Sequence, residues 1–180
     1  TREVIRAYRA SASWTDWNLG CVLAALDRLG LTDKTIVVIT ADHGYHNGEK
    51  GRWGKTTVFE IALRVPLIVR WPGAKGNGQK ANGLVEFVDI YPTLCDLAGV
   101  PVPKHVEGAN IKPLLADPAT AWSQPALTTM YKGNHTLRTA DWRYIRYEDG
   151  TEELYDHQTD PMERRNLITD ATLKPIVDEL

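Results

Sequence analysis

Apolar residues recur at helical spacing from about Arg2 to Leu29, with Val4, Ile5, Tyr8, Leu19, Val22, Leu23, Leu26 and Leu29 on the repeat and Gly30 placed as its stop. The period then changes. Thr35-Ile-Val-Val-Ile-Thr40 is β-rich and carries no charge, which predicts a strand covered on both faces, of the kind found in parallel sheets. Thr57 to Ala62 reads as a short helix, and Val65 to Trp71 as a second strand ended by Pro72-Gly73. Ala74 to Lys80 is a polar loop. Asp89 is placed to cap a helix through Tyr91, Leu94, Cys95 and Leu97 that stops at Gly99.

From about Gln124 the pattern becomes short alternating runs: Ala126 to Tyr131, Thr136 to Thr139, Trp142 to Tyr147 and Glu153 to Tyr155. Lys132-Gly133-Asn134 and Glu148-Asp149-Gly150 separate them with hairpin chemistry, so an antiparallel sheet of about four strands follows. A last amphipathic segment begins near Ala171 and contains Pro175. The expectation is an α/β fold, with residues 1–122 forming an α/β part and residues 123–180 a small antiparallel lobe with a terminal helix. Thr1 opens inside one helical pattern and Leu180 closes inside another, which reads as part of a longer protein.

Composition narrows the function classes. The 180 residues are 43% hydrophobic, enough to bury a core. Twenty-one basic and 23 acidic residues are mixed along the chain, giving a net charge of −2, so there is no electrostatic footprint for nucleic acid or an anionic membrane. No apolar run is long enough to span a bilayer. Cys21 and Cys95 lie in apolar helical contexts and read as core residues, and the six tryptophans, including Trp14, Trp17, Trp71 and Trp142, read as packing rather than as a sugar platform.

Chemistry concentrates after the first strand. Asp42 and His43 lie just past its carboxyl end, where open α/β sheets bind ligands, and glycines at 44, 48, 51 and 54 let the chain fold back and bring Lys55 to the same point. A carboxylate, an imidazole and an ammonium so placed suit an anion or a metal. His46, Glu49, Lys50, Arg52 and Trp53 are candidates to line the pocket.

The ordered series Asp42-His43-Gly44, Gly48-Glu49-Lys50-Gly51-Arg52-Trp53-Gly54-Lys55, Phe59-Glu60 and Arg64-Val65-Pro66-Leu67-Ile68 resembles the C-terminal half of formylglycine-dependent sulfatases of the alkaline phosphatase superfamily. The iduronate-2-sulfatase-like branch is nearest. The similarity continues through Val88-Asp89-Ile90-Tyr91-Pro92-Thr93-Leu94, Glu107-Gly108, Leu114-Leu115, Glu153-Leu154-Tyr155-Asp156, Asp160-Pro161 and Asn166-Leu167. It implies the latter part of a mixed-sheet core with flanking helices, then a small antiparallel lobe. It also implies hydrolysis of a sulfate ester, with a lean toward sulfated carbohydrate, and a location in the periplasm, outside the cell or in the lysosome.

By the same resemblance, calcium is the cofactor, Asp42 and His43 are metal ligands, and His43 and Lys55 are catalytic. Lys55 contacts the transferred group, with Lys50, Arg52 and Trp53 beside it for substrate. Carboxylate oxygen suits calcium, whereas imidazole nitrogen is a poorer partner. Lys50 stands where a histidine is common in that branch, and Asn47 replaces an apolar residue.

The resemblance demands a nucleophile that the chain does not contain. Neither Cys21 nor Cys95 is followed by proline or alanine two residues on and arginine four on, and no Asp-Asp pair occurs. The partner expected is therefore an N-terminal half of the same protein, and these 180 residues alone are expected to be inactive and to hold calcium poorly. The alternatives are a phosphonate monoester or phosphodiester hydrolase of the same superfamily and a non-catalytic carbohydrate-binding remnant. Asn134-His135-Thr136 fits a glycosylation acceptor pattern of little weight, and His135 and His157 read as hydrogen-bonding residues.

Overall fold

The computed structural model describes residues 1–180. Helix α1 runs from Arg2 to Arg28, and Gly30 turns the chain away with a φ of 66° that a side chain would resist. Strand β1 (Val37–Thr40) pairs antiparallel with β4 (Leu67–Arg70), Val38 opposite Val69. The parallel strand covered on both faces is thus corrected. Val37 to Ile39 are half-buried in a two-stranded ribbon, because an uncharged β-branched run specifies a strand without specifying its partner's direction.

Between these strands the chain makes a two-residue ladder, β2 (His46–Asn47) with β3 (Trp53–Gly54), and a single helical turn, α2 (Glu60–Leu63), shorter than the Thr57 to Ala62 expectation and shifted later. Asp89 does not cap the helix after it. Its carboxylate accepts from the Glu86 amide at 2.8 Å and the Ala109 amide at 2.7 Å, closing a capping box on the turn Phe87–Asp89. Helix α3 (Ile90–Leu97) continues that turn, and α4 (Lys112–Ala116) packs beside it around buried Thr93, Ile111 and Leu114.

The four-stranded sheet is as expected: β5 (Ala126–Met130), β6 (Asn134–Arg138), β7 (Trp142–Arg146) and β8 (Glu152–Asp156), in sequential antiparallel order. The connections fit their residues, with Gly133 at φ 80° and Gly150 at φ 84°. One face of the sheet lies on the segment before α2. Val58, Phe59, Ile145 and Tyr155 make the core there, each worth about 1.5–3 kcal/mol for its burial. The outer edge of β8 is covered by the chain that follows, since Leu154 N–H donates to Asn166 Oδ1 at 3.0 Å and Leu167 N–H to Leu154 O at 2.8 Å. Helix α5 (Lys174–Glu179) ends the chain with Pro175 in its first turn.

Core packing of the helix-borne tryptophans is corrected as well. No residue of α1 is buried; Trp14 and Trp17 are 64% and 59% exposed and stack on one another, with ring centroids 5.0 Å apart. Cys21 is exposed and Cys95 half-buried. Helical spacing defines an apolar stripe but says nothing about what covers it. No helix is long and apolar enough to cross a membrane.

Candidate active site

Past the end of β1, the loop is held against α2. The Gly44 amide donates to Ala62 O at 2.7 Å, and a Cβ on Gly44 would run into the carbonyl oxygen of Ile61. This seats the neighbouring His43, whose Nδ1 lies 2.7 Å from Gly44 O. Because a carbonyl only accepts, Nδ1 is the donor in that contact, and the other ring nitrogen, Nε2, lies 3.4 Å from Asp42 Oδ2. The Asp42 side chain is 84% exposed. One carboxylate and one imidazole nitrogen fall well short of the six to eight oxygens calcium takes, so this chain's residues do not by themselves make a calcium site.

The glycine-rich loop is closed by a buried histidine. His46, fully buried, has Nε2 at 2.7 Å from Thr57 Oγ1 and Nδ1 at 3.2 Å from Glu49 O, tying the loop's start to its end. Gly48 at φ 115° leaves room for the Trp53 ring to lie over it. The result is a groove of about 330 Å³ lined by His46, Arg52, Trp53, Gly54, Lys55, Thr56 and Thr57. No carboxylate is in that lining. Neither the Lys55 ammonium nor the Arg52 guanidinium has a hydrogen-bond or ion-pair partner in the protein, which leaves both free for an anion. Asp42 and His43 lie outside the lining, so this structure gathers Lys55, Arg52 and Trp53 but not the Asp42–His43 pair into one groove.

Lys50 is also elsewhere. Its ammonium sits over the Phe59 ring at 4.0 Å and the Tyr155 ring at 4.7 Å and donates to the carbonyl oxygen of Glu163. Burial against these rings holds its pKa below the usual lysine value, although Glu163, Glu153 and Asp160 pull the other way.

A buried ion network, invisible to the sequence reading, fixes the sheet to this loop. Arg143, 2% exposed, bridges Glu60 Oε2 at 2.5 Å and Glu163 Oε1, and gives Thr136 Oγ1 a bond of 2.9 Å. Arg138 Nε reaches Glu60 at 3.3 Å, and His157 Nε2 lies 2.9 Å from Glu163 Oε1. Burial alone would raise the Glu163 carboxyl, but His157, Arg143 and the Glu60 amide outweigh it and hold it below the usual range. Glu60, His157 and Glu163 resemble a metal-ligand cluster, yet the two guanidiniums already compensate the carboxylates, and a cation would have to displace Arg143. His157 thus has the hydrogen-bonding role expected of it. The available signal was the pair Phe59-Glu60 and the Asp160-Pro161 turn leading into Glu163.

Arg52 also lines a second groove, of about 610 Å³, with Asn134, Tyr147, Glu148, Asp149, Thr151 and Glu153 from the hairpin ends of the sheet. Burial and then the charge and hydrogen bond of Glu153 push the Tyr147 phenol up to about 12.

Comparison with known proteins accounts for the framework in which these residues sit. Residues 48–180 match the family model described as N-sulphoglucosamine sulphohydrolase, C-terminal. A sulfatase of Formosa agariphila is 36% identical over 179 residues, which cover 99% of this chain and 35% of that relative. The structure of BT4656 in complex with its substrate D-glucosamine-2-N,6-O-disulfate superposes with a TM-score of 0.83 at 32% identity, over 92% of this chain and 36% of that one. A phosphonate monoester hydrolase from Silicibacter pomeroyi gives 0.81 at 29% identity, over 91% and 36%. The chain spans about a third of the length of the proteins it matches. With the family model matching from the glycine loop through α5, the chain belongs to the sulfatases, as the N-sulphoglucosamine sulphohydrolase C-terminal family.

Proposed function

We propose that this chain forms the sulfate-binding flank of a sulfuric ester hydrolase acting on a sulfated carbohydrate. The observation that carries the reading is the groove that Lys55 and Arg52 both line, neither of them paired within the protein and with no carboxylate in that groove's own lining. An ammonium and a guanidinium lining one groove neutralise the sulfate oxygens on binding. As the S–O bond to the sugar breaks, Lys55 also stabilises the negative charge that gathers on the leaving oxygen. Trp53, 46% exposed, offers a flat face for a sugar ring.

Asp42 and His43 are proposed to supply two ligands to a metal, calcium by the resemblance, completed by residues outside these 180. When bound, that ion would hold sulfate and nucleophile together. In this chain, the Gly44 carbonyl engages His43 Nδ1, so Nε2 is the ring nitrogen left for the ion. The nucleophile, a formylglycine from a Cys-x-Pro-x-Arg or Ser-x-Ala-x-Arg element, is likewise assigned to sequence outside the chain. The finer placement near the iduronate-2-sulfatase-like branch rests on the resemblance of the ordered motifs that begin at Asp42, from which Lys50 and Asn47 depart.

The fold likeness to a phosphonate monoester hydrolase favours a second reading, since two cations serve a phosphonate equally well. Competition separates the two. The protein from the whole reading frame is assayed with D-glucosamine-2-N,6-O-disulfate and with a phenyl phosphonate monoester: faster sulfate release supports the sulfatase reading, and faster phosphonate cleavage replaces it.

A further inference from the structure

The two grooves that meet at Arg52 have opposite character. The Lys55 groove is cationic and lacks a carboxylate, whereas the larger one sets Glu148, Asp149 and Glu153 against the single guanidinium. We propose that the larger groove is a subsite for the sugar residue next to the sulfated one, and that it takes an uncharged, hydroxyl-rich unit. This rests on the sulfate-ester reading of the Lys55 groove.

The lining is suited to hydroxyls. It offers an amide, a threonine hydroxyl, carboxylate acceptors and one aromatic ring, Tyr147, the mixture that fixes a sugar by hydrogen bonds along its edge and by contact with its face. Some of these groups are already committed. Asp149 Oδ1 accepts from Thr151 N–H at 2.9 Å and Oγ1 at 2.7 Å, Glu153 Oε2 accepts from Tyr155 OH at 2.7 Å, and Asn134 Oδ1 takes the Glu148 amide at 3.3 Å. The Glu148 carboxylate and the Arg52 guanidinium have no partner in the protein. Glu148 is held at the groove by its own backbone, packed so tightly on the neighbouring turn that a Cβ on Gly133 would come within 2.9 Å of Glu148 Cβ.

Charge decides which sugar. Three carboxylates around one guanidinium repel a uronate and a second sulfate, while a neutral residue presents only donors and acceptors that they satisfy. The sulfated unit would then lie in the Lys55 groove, with Arg52 at the junction bonded to both. The substrate becomes an oligosaccharide in which sulfated and neutral residues adjoin.

Calorimetry on the protein with three probes tests this: N-acetylglucosamine 6-sulfate alone, the same residue linked to galactose, and the same residue linked to glucuronate. The galactose-linked probe is expected to bind about tenfold tighter than the monosaccharide, and the glucuronate-linked probe no tighter than it. Glu148→Ala, which removes no hydrogen bond or ion pair within the protein, and Asn134→Ala should each erode the galactose advantage and leave monosaccharide affinity unchanged. Lys55→Met should weaken the monosaccharide and the galactose-linked probe by the same factor. Equal affinity for all three probes, a preference for glucuronate, or an advantage that survives both variants overturns the subsite. If Lys55→Met changes nothing, the sulfate reading fails instead, whatever the two hairpin variants do.

Discussion

The Lys50 ammonium donates a hydrogen bond to the carbonyl oxygen of Glu163, 113 residues further along the chain, and both residues hold left-handed backbone, at φ 54° and 53°. Such conformations are costly for residues with side chains and persist where the surroundings over-determine them. Here each residue is fixed from several directions: Lys50 by the rings of Phe59 and Tyr155, Glu163 by Arg143, His157 and the Glu60 amide. The latch joins the short helical turn Glu49–Gly51, next to Arg52, to the chain that follows the four-stranded sheet.

Lys50 is therefore expected to act on stability rather than on substrate affinity. Lys50→Met keeps the stem over the rings but removes the cation and its hydrogen bond, a loss of about 1–2 kcal/mol. Urea denaturation should register that loss, while calorimetry with N-acetylglucosamine 6-sulfate finds wild-type affinity. A fall in affinity without a fall in stability would restore Lys50 to the substrate.

Arg143 is expected to be the most sensitive position outside the Lys55 groove. Arg143→Met leaves Glu60 and Glu163 without their shared partner in a buried setting, a change that costs about 3–5 kcal/mol. Replacing Glu163 by Gln in the same background relieves one buried charge and should recover part of the loss. No recovery in denaturant melts would argue against charge as the cause.

Acid stability should follow Glu163. Its folded-state pKa lies below the ordinary value of 4.5, so the native state favours the carboxylate. The contribution to stability is fully present above pH 4.5 and is lost as pH falls through the folded value. Stability measured from pH 7 downward should drop below that point in the wild type, and the slope should flatten in Glu163→Gln. Identical acid limbs would contradict the assignment.

Gly44 is the steric pivot of the loop that follows β1 and carries Asp42 and His43. Gly44→Ala has no space beside Ile61 O, so the chain between β1 and α2 must shift and move His43 with it. A destabilisation of about 1–3 kcal/mol is expected, together with a shift of the His43 ring resonances in NMR spectra. Unchanged resonances would show that the loop accommodates the methyl group elsewhere.

Much of the fold was legible where local chemistry is decisive. The turns at Gly133 and Gly150, with alternating runs between them, specify β5 to β8 without reference to anything distant. The helical repeat of α1 was equally plain, but its Trp14 and Trp17 were misplaced in a core because a repeat does not name its cover. The direction of β1 failed for a related reason, since Val37 to Thr40 reads the same in either orientation. In the site, the glycines are expected to return Lys55 to Asp42 and His43, whereas the groove sets Lys55 beside Arg52 and Trp53 and leaves that pair outside its lining, because the number of glycines does not fix the path of the loop. Lys50 escaped because its partners Tyr155 and Glu163 lie a hundred residues away, and Arg143 escaped because charge on a strand reads as solvent-facing until Glu60 and Glu163 are seen beneath it.

The central claim is that Lys55 belongs to a sulfate-ester hydrolysing site. The most direct test is sulfate release from D-glucosamine-2-N,6-O-disulfate by the protein of the whole reading frame, compared with its Lys55→Ala variant and with these 180 residues alone. The account predicts release by the whole protein, a fall of about a hundredfold or more in the variant, and none from the 180-residue chain. A variant as active as the parent, or turnover by the 180 residues unaided, would contradict it.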